Sequence, residues 1–100
     1  MQLFYTPCSN KEEAKKIASS LLSEKLIACA NVIPGINSLY IWEGELQDVE
    51  EVILLLKCKQ ESANDVESRI SQLHSYDCPC ILQFTPDKVN PAFSKWLNDN

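Results

Sequence analysis

The chain has 100 residues and a formal net charge of −5, with 45% hydrophobic and 23% charged residues. That length and balance fit one globular domain, residues 1–100. The nine Lys and Arg residues are scattered, which excludes the basic stripe of a nucleic-acid binder and electrostatic docking to an anionic membrane. No apolar run reaches the ~20 residues of a membrane span. Residues 1–10, MQLFYTPCSN, lack a basic region followed by an apolar one, so no signal peptide is read and a cytoplasmic protein is expected. Cys8, Cys29, Cys58, Cys78 and Cys80 make an odd count, read as free thiols rather than a disulfide framework.

Residues 2–5 predict a short strand that Thr6-Pro7-Cys8 breaks. Ser9 with Glu12 gives a capping-box signature. Ala14, Ile17, Ala18, Leu21 and Leu22 then follow at helical spacing with lysines and serines opposite, an amphipathic helix. Residues 27–42 predict a second strand far longer than usual, with a bulge or bend at Pro34-Gly35. Glu43-Gly44 turns the chain. The returning arm ends in Val52-Ile53-Leu54-Leu55-Leu56, apolar at both alternating faces as in a covered central strand. Ser62 and Asp65 open a second helix with Ala63, Val66, Ile70 and Leu73 inward, ended by residues 74–77. Residues 80–84 predict a fourth strand, and Asn90-Pro91 starts a terminal helix carrying Phe93, Trp96 and Leu97.

The order β-α-β-β-α-β plus a C-terminal helix predicts an α+β, ferredoxin-like fold: an antiparallel sheet with both main helices on one face and a long hairpin of strands two and three. The other face then needs a cover. A second copy of the chain is the expected one, with the working surface between copies.

Several motifs together resemble the CutA divalent-cation-tolerance proteins. They are Ala28-Cys29-Ala30-Asn31, Ile33-Pro34-Gly35, Ser38-Leu39-Tyr40, Trp42-Glu43-Gly44, Glu51-Val52, Leu56-Lys57, residues 74–79 (HSYDCP) and Trp96-Leu97. The resemblance implies a homotrimer joined through its long hairpins, a part in tolerance to copper and other divalent cations, and binding of such metals. Ser75, Asp77 and Cys80 depart from the family pattern.

Cys29, matching the family cysteine, offers a soft ligand for copper or zinc; packing beside the first helix is the alternative. His74, the only histidine, offers an imidazole. Glu51, at the start of a buried strand, needs a cation or another partner. Cys29, Glu51 and His74 are therefore the candidate metal ligands, for copper or another divalent cation. Tyr76, Lys57 and Trp42 are placed in an intersubunit cleft. Tyr76 offers a hydroxyl or a ring. Lys57 is either an ion-pair partner or a ligand anchor. Trp42, beside Tyr40, serves as an assembly contact. Cys78-Pro79-Cys80 could meet one soft ion with His74 or Cys8, though Cys-x-Cys alone falls short of a zinc site.

No phosphate loop, dinucleotide fingerprint or nucleophile elbow is present, so no enzymatic activity is expected. Two other readings remain: a PII-like trimeric sensor that binds a small metabolite or anion through Lys57 and Tyr76, and a mainly structural trimer with inert thiols.

Overall fold

Gln2–Cys8 forms β1 in the computed structural model, which describes residues 1–100. Its even positions are buried and its odd ones half-buried, the period of a strand with one face in a core. β1 thus continues through Pro7, where a break was expected. β4 (Leu82–Phe84) pairs only with residues 3–5, so beyond Tyr5 the strand has one neighbour and tolerates proline as an edge does. β4 itself is shorter than the expected 80–84.

Asn10 caps α1 (Lys11–Ser23), its side-chain oxygen accepting from the Glu13 N–H at 2.8 Å. The cap therefore sits one residue later than Ser9 and Glu12 suggested. Ala14, Ile17, Ala18 and Leu21 form the buried stripe. Lys25, at φ 59°, ends the helix, and the Leu26 N–H returns to Leu21 O at 2.9 Å, a Schellman-type close.

β2 (Cys29–Trp42) and β3 (Glu45–Cys58) are 14 residues each. Their antiparallel register slips between Ile33 and Ile36, leaving Pro34 and Gly35 opposite Val52. Gly35 has φ 77°, and this is the bulge that the Pro-Gly pair predicts. At the tip, Glu43 and Gly44 have φ 51° and 80°, as in the type I′ turn that suits a two-residue hairpin loop. A 3-10 turn (Gln60–Ser62) leads into α2 (Ala63–Leu73), which buries Ala63, Val66 and Ile70. Ser62 holds its N-cap position without a side-chain bond. α3 (Pro91–Asn98) carries proline in its first turn, as read.

The sheet order is β2-β3-β1-β4 with every pairing antiparallel, the α+β ferredoxin-like arrangement. Side chains of α1 and α2 share one core with Phe4, Cys8, Val52, Leu54, Leu56 and Cys58, so both helices cover the same sheet face. Lys57 alternates with these residues and projects to the second face, where its Nζ lies 5.8 Å from the centre of the Phe93 ring of α3.

The hairpin projects past the helices, and the molecule measures 47 × 26 × 22 Å. Leu39, Ile41 and Leu46 share one face of this ribbon and Tyr40 and Trp42 the other. Leu39, Ile41, Trp42 and Leu46 are each more than 60% exposed (62, 65, 63 and 67%).

Candidate metal centre and adjoining cleft

Two neighbouring features share the segment 74–76. The first lies where the end of β1 meets the start of α1 and the exit of α2. There the ligating atoms of Cys8, Glu13 and His74 all lie within 4.8 Å of one another. The strand alternation that buries Phe4 and Thr6 also buries Cys8. Glu13 is the third residue of α1, turned towards the loop that follows α2. Its Oε1 accepts from the Ser9 N–H at 2.9 Å and the Ser9 hydroxyl at 3.0 Å, and its Oε2 from the Ser75 N–H at 2.8 Å. His74 Nε2 donates to Pro7 O at 2.8 Å, which leaves Nδ1 to accept from the Tyr76 N–H at 3.2 Å.

The electrostatics follow from these contacts. Burial opposes the ionised form of Glu13, but the Ser75 and Ser9 hydrogen bonds outweigh it and hold the carboxyl at about 2. Burial, then the charges of Glu13 and Glu51, push the Cys8 thiol up to about 12. A carboxyl held below its unfolded value of 4.5 stabilises the fold above that value, and the contribution is lost as pH falls towards 2. Glu13→Gln should therefore lower stability by about 1–2 kcal/mol at neutral pH after solvent screening. In metal-free buffer, urea unfolding across pH 7 to 2 should show that difference shrinking below pH 4.5.

The second feature is a cleft of about 770 Å³ on the sheet face opposite α1 and α2, between the hairpin base and the loop after α2. Tyr40, Trp42, Gln47, Val49 and Glu51 line it from the hairpin, and Tyr76, Cys78 and Cys80 from the loop. Glu51 is 9% exposed, and its partner is the Tyr76 hydroxyl, which donates to Oε2 at 2.5 Å. Burial, then the hydrogen bond to Glu51, drive the Tyr76 phenol well above its usual range. The two ion pairs of the chain, Arg69–Glu24 and Lys95–Asp99, lie elsewhere. Neither Glu51 nor Glu13 has a cationic side chain beside it.

The structure thus brings Glu51, Tyr76 and Trp42 into one cleft, with His74 bonded to the Tyr76 backbone behind it. Two of the expected residues stand apart within one chain. Lys57 shares the Glu51 face of β3 but is six residues on, about 20 Å along a strand, and it donates to Asn31 Oδ1 at 2.7 Å. It does not line the cleft. Cys29 pairs with Lys57 at that same far end. Glu13 is the residue that the sequence reading missed. Placing the helix cap at Ser9 and Glu12 hid the position of Glu13 as the inward third residue after Asn10.

The family model for the CutA1 divalent ion tolerance protein matches residues 2–100. The divalent-cation tolerance protein CutA of Pyrococcus horikoshii is 38% identical over 97 residues, covering 97% of this chain and 94% of that protein. The longer chloroplastic protein CutA 1 of Oryza sativa subsp. japonica is 34% identical over 96 residues, 96% of this chain and 54% of its own length. The crystal structure of the divalent ion tolerance protein CutA1 from Ehrlichia chaffeensis superposes with a TM-score of 0.96 at 37% identity, covering 98% of this chain and 92% of that one.

Proposed function

Because the chain belongs to the CutA1 divalent ion tolerance family, we propose that it serves tolerance of divalent cations by binding them, copper foremost, as a cytoplasmic homotrimer. One observation carries the cation. Glu51 is nearly buried at the floor of the cleft, and its single side-chain partner is the neutral Tyr76 hydroxyl. A desolvated carboxylate with one neutral donor is costly, and a divalent ion relieves that cost directly. The donors around it suit a cation: a carboxylate, a phenol, and the two exposed thiols of Cys78 and Cys80 in the same cleft.

The projecting hairpin supports the assembly. Its apolar residues have no cover within one chain, and copies that lay their ribbons together would bury them. Such packing would also wall the open side of the cleft beside Tyr40 and Trp42. In this reading Cys29 joins the site only if a neighbouring copy brings it there. The five free cysteines fit a reducing compartment. The metabolite-sensor reading has the same requirement, because Lys57, its anion contact, lies beside Cys29 and would also have to come from a neighbouring copy.

Calorimetric titration of metal-free protein with Cu(II) and with Zn(II) tests the cleft. Glu51→Gln should weaken binding of the preferred ion at least tenfold. Equal affinity in the variant and the parent chain would remove Glu51 from the site.

A further inference from the structure

We infer that Cys8, Glu13 and His74 form a second metal site, distinct from the Glu51 cleft, that takes zinc or a similarly borderline-soft divalent cation through one sulfur, one oxygen and one nitrogen. Three protein ligands and an open fourth position make a recurrent zinc arrangement.

Each residue is already set up as a ligand. A metal-binding histidine characteristically gives its other ring N–H to a carbonyl or carboxylate, which fixes the ring and its tautomer. His74 does this: Nε2 donates to Pro7 O at 2.8 Å, and the Nδ1 lone pair is held only by the Tyr76 N–H at 3.2 Å. A cation at Nδ1 displaces that one long bond. Glu13 is oriented by the backbone N–H groups and the hydroxyls of Ser9 and Ser75, and a cation takes the place of one of the hydroxyl bonds. Cys8 is fully buried in the core, and its sulfur makes one weak hydrogen bond, 3.9 Å to Thr6 O. Thr6 Oγ1, on the same strand face, is a buried polar atom without a partner. Glu13, the least buried of the three ligands, opens the route to solvent.

The field at the site points the same way. Glu13 and Glu51 place negative charge beside Cys8, with no lysine or arginine to balance it. A divalent cation balances that charge. On binding, the cation replaces the Cys8 thiol proton, which leaves to solvent. The ligating atoms lie within 4.8 Å of one another. Around tetrahedral zinc they would stand roughly 3.3–3.8 Å apart, so side-chain rotations of about 1 Å close the site. Because Cys8 is held on β1, Glu13 on α1 and His74 after α2, an ion here would also staple three elements together.

Cobalt(II) is the probe, because thiolate ligation gives a sulfur-to-metal charge-transfer band and four-coordination gives intense ligand-field bands. The titration uses a Cys78→Ser, Cys80→Ser background, so that the exposed thiols cannot supply the signal. We expect both bands at one cobalt per chain. The charge-transfer band should vanish in Cys8→Ser, and cobalt affinity should fall at least tenfold in Glu13→Gln. Absence of the band from the background protein, its persistence in Cys8→Ser, or unchanged affinity in Glu13→Gln would each overturn the site. Should Cys8→Ser fail to fold, Glu13→Gln decides alone. Adding Glu51→Gln separates the two proposals: cobalt bands that survive there leave this site standing whatever happens to copper affinity in the cleft.

Discussion

Replacing Ile41 with aspartate is expected to turn an assembly of about three chains into a single 11.3 kDa species in sedimentation or light scattering. Ile41 lies opposite Leu46 near the hairpin tip and is 65% exposed, so the subunit's own fold does not depend on it. Burying an isoleucine side chain contributes about 1.5–3 kcal/mol, and burying an unpaired carboxylate in its place costs a similar amount or more. In a ring of three chains the change recurs at each contact. Circular dichroism should show the subunit unchanged. A variant that keeps the parent mass would move the interface away from the ribbon, and a parent chain already at 11.3 kDa would end the trimer proposal.

The second large effect belongs to the core. Leu54→Ala should lower unfolding free energy by about 3–4 kcal/mol, in the middle of the range for buried leucines. Leu54 is fully buried on the central strand, paired with Thr6 on one side and Val32 on the other, and it packs in the core shared with α1 and α2. The flanking strands cannot close on the cavity without shifting the sheet, which leaves the two helices as the side that could fill it. Domains of this kind are stable by about 5–15 kcal/mol in all, so the loss is a large fraction. Urea midpoints must be compared at one chain concentration, because association adds to apparent stability. A loss below about 1 kcal/mol would show that the helices follow the missing side chain inward.

The fold was legible wherever local chemistry decides it. Pro34-Gly35 and Glu43-Gly44 located the bulge and the turn because their backbone requirements are their own, and Ala14, Ile17, Ala18 and Leu21 located the first helix by period. Misjudged elements depend on distant partners. Pro7 stays in β1 only because β4 stops short, which residue 7 does not encode. The site shows the same division. Strand alternation put Glu51 and Lys57 on one face correctly, but alternation says nothing about distance along a strand, and within one chain the two stand six residues apart. The His74–Pro7 bond spans 67 positions of sequence, and Cys8 with Glu13 meets it through packing of a strand end on two helix ends. No local pattern announces that meeting.

Pro34 has a consequence beyond bending the ribbon. β2 is an edge strand of the sheet, 14 residues long, and its backbone groups that face away from β3 would template open-ended growth into fibres. Proline offers no N–H to an incoming strand, and the bulge beside it breaks the straight run into two shorter pieces. Pairing with a newcomer is thereby confined to short stretches at fixed angles. That geometry works against a fibre built by strand addition.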